Sequence, residues 1–396
     1  MGIQLTNRIL RIKPSPTLAV TQRAAELKAA GKDIVSLGAG EPDFDTPEHI
    51  KEAAIKAIRD GKTKYTAVDG IPSLKSAVAE KMQRFNHLKY DLNQIIVSTG
   101  GKQSIYNLLQ AIIQEGDEVI IPAPYWVSYP DMVLLADGKP VFIQTDINQR
   151  FKITAAQLEA AITPRTKLLF LNSPSNPTGM AYTREELLSL SKVLLKHPQV
   201  LIGTDDMYEH IWWAKEPFSN IVMACPELYD RTIVLNGVSK AYSMTGWRIG
   251  YACGPAQIIK AMNNLQSQST SNPTSIAQAA AEAALRGGME TVVTMVETFK
   301  KRHDYLVKAL NAIPGIQCAP GDGTFYAFAR VQDVIDHNPQ MKNDLQFSEY
   351  LINSVGLALV PGSAFGAEGF VRLSFATSME TLEKAIERLS RAVKEA

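Results

Sequence analysis

Between about residue 94 and residue 253 the chain alternates short β-rich runs with helical ones, and this alternation restricts the fold more than any other feature. The β-rich runs are Gln94–Ser98, Glu118–Ile121, Lys167–Leu171, Gln199–Thr204, Arg231–Leu235 and Trp247–Cys253. Between them, Lys102–Gln114 (KQSIYNLLQAIIQ) and Arg184–Lys196 (REELLSLSKVLLK) carry apolar residues at intervals of three and four, which places them on one face of a helix. A crossover helix returns the chain so that the next strand runs in the same direction, and a parallel sheet needs helices on both faces. The expectation is an α/β fold built on a mostly parallel sheet.

After about Leu285 the texture changes. A long helical stretch runs through Asn311, short strands follow near Ile316, Phe325–Ala329, Gly356–Val360 and Phe370–Phe375, and a last helix begins at Thr377, where Thr377-Ser378-Met379-Glu380 has the form of a capping box. This reads as a smaller α+β domain. The helical run Thr17–Ala30 near the N-terminus is expected to pack with it. The boundaries that follow are 1–45 for an N-terminal arm and part of the small domain, 46–285 for the large domain, and 286–396 for the rest of the small domain.

Composition matters for what it excludes. With 41 basic against 40 acidic residues and no Lys/Arg run, the chain has no field that would gather nucleic acid. Its three cysteines, Cys225, Cys253 and Cys318, show no CxxC pairing, so neither a disulfide framework nor a zinc site is indicated. The six histidines form no HExxH motif, and no metal is expected. Nothing approaches a membrane span or the apolar core of a signal peptide, and the expected location is the cytoplasm. The opening Met1-Gly2-Ile3-Gln4-Leu5-Thr6 fits a loose myristoylation pattern that also arises by chance.

Ligands of open parallel sheets gather at the carboxyl ends of the strands, and four such positions form a set. After Ser98 comes Thr99-Gly100-Gly101-Lys102, a glycine turn into a helix, which leaves backbone N–H groups and a positive dipole end for a phosphate. Alone it is a common turn, and without Ser or Thr after Lys102 it is not a nucleotide P-loop. After Leu171 comes Asn172-Ser173-Pro174-Ser175-Asn176-Pro177-Thr178-Gly179, either an ordinary proline turn or a loop that presents the Asn176 amide. After Thr204 come Asp205, Asp206 and Tyr208, either solvated loop acids or a carboxylate awaiting a cation. The fourth, Ser239-Lys240-Ala241-Tyr242-Ser243-Met244-Thr245-Gly246-Trp247-Arg248, lies between two apolar runs. A lysine at buried strand ends has its amine lowered and becomes nucleophilic enough for a Schiff base, and the downstream arginine suits a phosphate.

Taken together and in this order, Ser-Pro-Ser-Asn-Pro-Thr-Gly, Thr-Asp-Asp-Met-Tyr-Glu-His, Gly-Val-Ser-Lys-Ala-Tyr and Gly-Trp-Arg-Ile-Gly-Tyr resemble the fold-type I aminotransferases of classes I and II. The resemblance runs from Gly38-Ala39-Gly40-Glu41-Pro42 to Val371-Arg372-Leu373-Ser374. It is nearest to the bacterial aspartate aminotransferase (aspartate/prephenate) branch, through Gly-Glu-Pro-Asp-Phe-Asp-Thr-Pro-Glu at 40–48 and Pro-Tyr-Trp-Val-Ser-Tyr-Pro at 124–130. It implies the aspartate-aminotransferase-like fold, with a large domain holding a mostly parallel seven-stranded sheet and pyridoxal 5′-phosphate as cofactor. Carried over by position, Lys240 binds the cofactor covalently and is the catalytic residue. Asp205, preferred to Asp206, pairs with the pyridine nitrogen, while Tyr208 and Asn176 meet the 3′-oxygen. Gly101, Lys102 and Arg248 hold the phosphate, and Trp126 stacks on the ring. Arg372 and the Gly40 backbone bind the substrate carboxylate, with Trp126 and Asn176 also lining that side. Tyr65 resembles the tyrosine that reaches the phosphate of the other subunit, which implies a homodimer. The chain departs from some relatives at Gly237, where they carry a phosphate-binding serine.

The activity implied is ping-pong transamination from aspartate or glutamate to 2-oxoglutarate or oxaloacetate. The alternatives are an aminotransferase of aromatic, methionine or prephenate type and a lyase on the same scaffold. The second arginine that reads a distal carboxylate in another aspartate branch has no counterpart that can be placed here, and Lys13-Pro14-Ser15-Pro16-Thr17 is the candidate in its stead. A dinucleotide-dependent dehydrogenase would rest on Gly38-Ala39-Gly40, which lacks the third glycine and has Pro42 where a helix should start. A non-catalytic regulator on this fold would need a DNA-binding domain for which the chain has no room.

Overall fold

The computed structural model describes residues 3–14, 16–338 and 341–395. The Met1-Gly2 start of the myristoylation pattern and Ser15 lie outside them. The first strand, β1 (Val35–Ser36), precedes the alternating region, which supplies β2 (Ile95–Ser98), β3 (Glu118–Ala123), β4 (Lys139–Gln144), β5 (Thr166–Asn172), β6 (Leu201–Asp205), β7 (Thr232–Gly237) and β8 (Gly250–Cys253). These last seven form one sheet in the order β2-β8-β7-β6-β5-β3-β4. Every neighbour pairing is parallel except those of β8, which runs antiparallel to both β2 and β7.

Successive residues of a strand point to opposite faces, and in β5 that period sends Leu168 and Phe170 one way and Leu169 and Leu171 the other. The first pair meets Ile105, Leu108 and Leu109 of the helix Gly101–Ile112 and Met262 of the helix Ala256–Ser267. The second meets Leu187, Leu190 and Leu194 of the helix Arg184–Lys196, whose start is capped by Thr183 and Glu186 in a reciprocal pair of bonds.

Two details differ from the sequence reading here. β4 had no counterpart among the β-rich runs: it is an edge strand, paired on one side only, whose half-exposed KPVFIQ pattern carries a weak apolar signal. The Trp247–Cys253 run is a strand only from Gly250, because Thr245–Trp247 makes a turn of 3₁₀-helix and Arg248 takes a left-handed conformation, with φ 55°.

The C-terminal part builds a four-stranded sheet, β12-β13-β10-β9, from β9 (Gln317–Cys318), β10 (Tyr326–Arg330), β12 (Val360–Pro361) and β13 (Phe370–Ser374), with the short β11 (Leu357–Ala358) pairing in parallel with β1. Through that pairing the N-terminal segment joins this region. The helix Pro16–Ala29 packs there as well, with Ala24 and Leu27 against Ala358. The last helix runs Met379–Glu395, and its cap is Ser378 rather than Thr377: the Ser378 hydroxyl accepts from the Thr381 amide at 3.2 Å.

Candidate active site

A cavity of about 430 Å³ opens where the carboxyl ends of the large sheet face the small sheet and the N-terminal segment. Asn172 and Asp205 are the last residues of β5 and β6, and Lys240 follows three residues after β7. Gly101 and Lys102 open the helix after β2, and Arg248 stands in the turn before β8. From the other side come Arg372 on β13, Tyr326 on β10, Gly38–Glu41 after β1, and Thr17 and Thr21 on the helix Pro16–Ala29.

The turn after β5 is folded by its own amides. Asn172 donates from Nδ2 to the Asp205 carbonyl at 2.9 Å and accepts the Asn176 amide N–H on Oδ1, also at 2.9 Å. Asn176 Oδ1 then accepts from Arg372 Nη1 at 3.0 Å, which leaves its side-chain N–H groups for a ligand.

The neighbouring carboxylates of Asp205 and Asp206 diverge, as successive residues at a strand end do. Asp205 lines the cavity and accepts the Tyr129 hydroxyl at 2.5 Å and the Met207 amide at 3.3 Å. Asp206 is 0% exposed, accepts from Thr204 Oγ1 at 2.7 Å and Asn220 Nδ2 at 2.6 Å, and does not reach the cavity. Burial raises the Asp205 carboxyl, and the bonds from Tyr129 and Met207 oppose the rise.

The Lys240 amine donates to the Gly40 carbonyl at 2.6 Å. Enclosure by the walls pushes it down to about 8, with the Glu41 carboxylate pulling upward and the Arg248 and Arg372 guanidinium groups pushing further down. An amine near 8 can take up and release a proton near neutrality. Glu41 is tied to the same loop by the Thr245 hydroxyl at 2.8 Å, and the Thr245 carbonyl accepts from Arg248 Nη1 at 2.8 Å.

Arg372 is 2% exposed and pairs with no carboxylate among the described residues. Its neighbours are neutral: the Gly38 carbonyl at 2.9 Å, Asn176, and the rings of Tyr326 and Phe365 at 4.3 and 5.0 Å. Its Nε has no hydrogen-bond partner among the described residues. A guanidinium held by neutral groups can receive an anion.

Of the residues singled out from the sequence, Gly40, Gly101, Lys102, Trp126, Asn176, Asp205, Tyr208, Lys240, Arg248 and Arg372 all line this one cavity. Tyr65 does not; its side chain stands 91% exposed. Within the Lys13–Thr17 segment, Thr17 lines the cavity while Lys13 is exposed and stays outside the lining. The sequence reading passed over Tyr129, Tyr326, Asn172 and Thr245. Asn172 had a usable signal, since it directly follows an apolar run at the end of a strand. Tyr326 had none, because an aromatic residue on a strand reads as core; Tyr129 lies inside the motif at 124–130 but has no polar signal of its own there, and it does stack on Phe170 with centroids 4.7 Å apart.

Residues 32–389 match the family described as aminotransferase class I and II. The chain belongs to that family. An aspartate/prephenate aminotransferase of Nitrosomonas europaea is 59% identical over 393 residues, 98% of this chain and 99% of the relative. The crystal structure of the aspartate aminotransferase from Rhizobium meliloti superposes with a TM-score of 0.96 at 49% identity, covering 99% of each chain. That of the Thermus thermophilus aspartate aminotransferase with maleate does so with a TM-score of 0.93 at 43% identity, covering 99% of this chain and 100% of the other. The protein is an aminotransferase with the aspartate-aminotransferase-like fold and depends on pyridoxal 5′-phosphate.

The residues present suit that cofactor. At the head of the helix Gly101–Ile112 the amides of Gly101 and Lys102 have no protein acceptor among the described residues, and Arg248 lies over the same turn. Glycine suits the turn: Gly100 has φ 82°, which other residues rarely adopt, and a Cβ on Gly250 would fall 2.2 Å from the Gly101 nitrogen. Free amides and a guanidinium at the start of a helix are suited to a phosphate. Gly237 has a local cause as well, since a Cβ there would sit 2.9 Å from the Ile249 carbonyl, so a serine could not enter on this backbone.

Proposed function

We propose that this aminotransferase moves an amino group between dicarboxylic partners, aspartate or glutamate and 2-oxoglutarate or oxaloacetate, in a ping-pong cycle, and that it accepts aromatic or prephenate-like partners too. The observation that carries the reading is Arg372, a buried cation with no carboxylate partner among the described residues, which shares a cavity with Lys240. An α-carboxylate supplies the missing charge, and the Gly40 amide N–H, which has no acceptor among the described residues, is its second donor. The names of the relatives favour acidic substrates, and maleate, bound by the Thermus protein, is itself a dicarboxylate. For the distal carboxylate the cavity wall carries Thr17, from the N-terminal segment, and the Lys102 ammonium, which lies 5.1 Å from the centre of the Trp126 ring. Neutral donors and a single flexible amine discriminate less sharply than a bidentate arginine, hence the tolerance for other side chains.

Pyridoxal phosphate, when bound, supplies the electron-withdrawing ring that makes the substrate Cα proton removable. Lys240 would hold it covalently and, once displaced by the amino acid, would be free to take up the proton released at the substrate Cα. Asp205 would keep the ring nitrogen protonated, with Tyr129 fixing its orientation. Tyr208 and the free Asn176 N–H would meet the 3′-oxygen, Trp126 would cover the ring face, and Gly101, Lys102 and Arg248 would hold the phosphate. The 91% exposure of Tyr65 supports a homodimer in which that tyrosine enters the partner's site, and three free, buried cysteines suit a cytosolic enzyme.

The test is kcat/KM for aspartate, glutamate, alanine, phenylalanine and methionine with 2-oxoglutarate. Aspartate or glutamate should lead. A neutral donor that beats aspartate by tenfold, about 1.4 kcal/mol in transition-state binding, would sink the dicarboxylate reading and leave the aminotransferase standing.

A further inference from the structure

Behind the cavity, on the far side of the Asp205–Tyr208 turn, lies a closed polar cluster that the reaction does not use. Lys81 and Asn86 come from the helix Pro72–Asn86, Glu209 from the turn after β6, and Asn236 from the end of β7. The side chains of Lys81 and Glu209 are 1% and 2% exposed and form a direct ion pair. Lys81 Nζ also donates to Asn86 Oδ1 at 2.8 Å. Asn86 Nδ2 donates to Glu209 Oε2 at 2.8 Å, and Asn236 Nδ2 donates to Glu209 Oε1 at 2.7 Å. Asn236 Oδ1 in turn accepts the Gly237 amide at 2.7 Å. Burial raises the Glu209 carboxyl, but the Lys81 ammonium, His210 and the Asn86 amide outweigh it and bring it down to about 2.

The position of this cluster gives it a task. β6 and β7 are paired as far as Asp205 and Leu235, and one more backbone bond follows, from the Asp206 amide to the Leu235 carbonyl. Beyond it the two chains separate, one carrying Tyr208 and the other Lys240. Among the described residues the side-chain hydrogen bond that joins them there runs from Asn236 to the Glu209 carboxylate, with Lys81 anchoring that carboxylate to a helix. From this geometry we infer that Glu209 and Asn236 are positioning residues, which fix the Asp205–Tyr208 turn relative to Lys240. The inference rests on the roles proposed above for Asp205 and Lys240. Displacement of a reacting group by about 1 Å costs on the order of a hundredfold in rate, so a rigid link at this point is worth a buried ion pair.

Asn236→Ala cuts the link on the Lys240 side and leaves the Lys81–Glu209–Asn86 contacts in place. Asn86→Ala removes an equal bond from Glu209 on the helix side and is the control for loosening alone. In the cofactor-loaded enzyme Asn236→Ala should lower kcat about tenfold or more, leave KM for aspartate within about twofold, and change the visible circular dichroism of the bound cofactor. Asn86→Ala should lower the thermal midpoint while kcat and the visible dichroism stay close to wild type. If Asn236→Ala keeps both kcat and dichroism, or if Asn86→Ala disturbs them equally, the inference falls. A wild-type protein whose visible absorbance does not respond to an amino acid would instead overturn the Lys240 assignment, and this inference with it.

Discussion

Two buried cations stand near the carboxyl ends of the large sheet, and the protein treats their charges in opposite ways. Lys81 is neutralised internally by Glu209, and three of its contacts are to side chains of the protein itself. Among the described residues Arg372 meets a carbonyl, an amide oxygen and two ring faces, with Nε unpaired. An internally paired charge costs desolvation and returns rigidity. One paired only with neutral groups is held in readiness, because an incoming anion gains a charge-assisted bidentate partner already fixed in place. Charge state and burial are the same in the two cases; the presence of a carboxylate separates a part of the scaffold from a part of the site.

Substitutions should therefore split into those that cost activity and those that cost stability. The largest effect belongs to Lys240, whose amine is likewise held by a neutral group, the Gly40 carbonyl. Lys240→Ala should abolish steady-state turnover, by about 10⁴-fold or more, while the protein stays folded and still binds the cofactor through the Gly100–Gly101 turn and Arg248. Multiple turnovers in that variant would refute the assignment. Next come the two cations themselves. Arg372→Leu should lower kcat/KM by about 10²- to 10³-fold for every amino donor with the thermal midpoint unchanged or raised, as expected for loss of a bidentate charged contact. Lys81→Met should cost about 3–5 kcal/mol of stability, because it strands Glu209. If Arg372→Leu destabilises as Lys81→Met does, the contrast between the two charges is false.

The division also explains what could be read without a structure. Asp205 was legible because it directly follows a β-rich run, and strand ends of a parallel sheet are where ligands collect; Asn176 and Lys240 each stand five residues past such a run, and Arg248 was reached through the motif that begins at Ser239. The alternating region gave away the large sheet for a similar reason, apart from the edge strand Lys139–Gln144, whose outward residues blur its period. The Lys81–Glu209 pair could not be read: 128 positions separate the two, and either looks alone like a solvated charge on a helix or a loop. Tyr129 is equally silent, since its contact with Asp205 spans 76 positions and its ring packs as an ordinary core aromatic. Local spacing reports which residues share a face, whereas partnership across the fold depends on topology.

Adjacent carboxylates test the same distinction on a smaller scale. Asp205 faces the cavity, and Asp206 is closed in by Thr204 and Asn220. Asp205→Ala should reduce kcat by about a hundredfold or more, in line with removal of a group that stabilises charge at the reacting centre. Asp206→Ala should change kcat by less than about tenfold and lower stability by about 1–3 kcal/mol, the cost of leaving the Thr204 and Asn220 donors unmatched. Equal effects on rate would mean that both carboxylates feel the reaction.

The smallest effect concerns Lys240 itself, which stands between the two extremes. Its amine is held near 8 by enclosure, with Glu41 and Asp205 pulling upward from the N-terminal segment and β6, and Arg248 and Arg372 pushing downward from the turn before β8 and from β13. Covalent capture of the cofactor requires the neutral amine. The rate at which cofactor-free protein takes up pyridoxal phosphate should therefore rise about tenfold per pH unit below 8 and level off above it. Removing a negative charge that favours the protonated amine lowers its pKa, so Glu41→Gln should move the midpoint to lower pH and raise the capture rate at pH 7 by about two- to fivefold. The glutamine carbonyl can still accept the Thr245 hydroxyl, which keeps the loop in place while the charge is removed. Comparing variant and wild type at each pH cancels the titrations of the free cofactor. A midpoint that stays put, or moves upward, would show that Glu41 does not act on the lysine through its charge, and Lys240 would then be governed by enclosure and the two arginines alone.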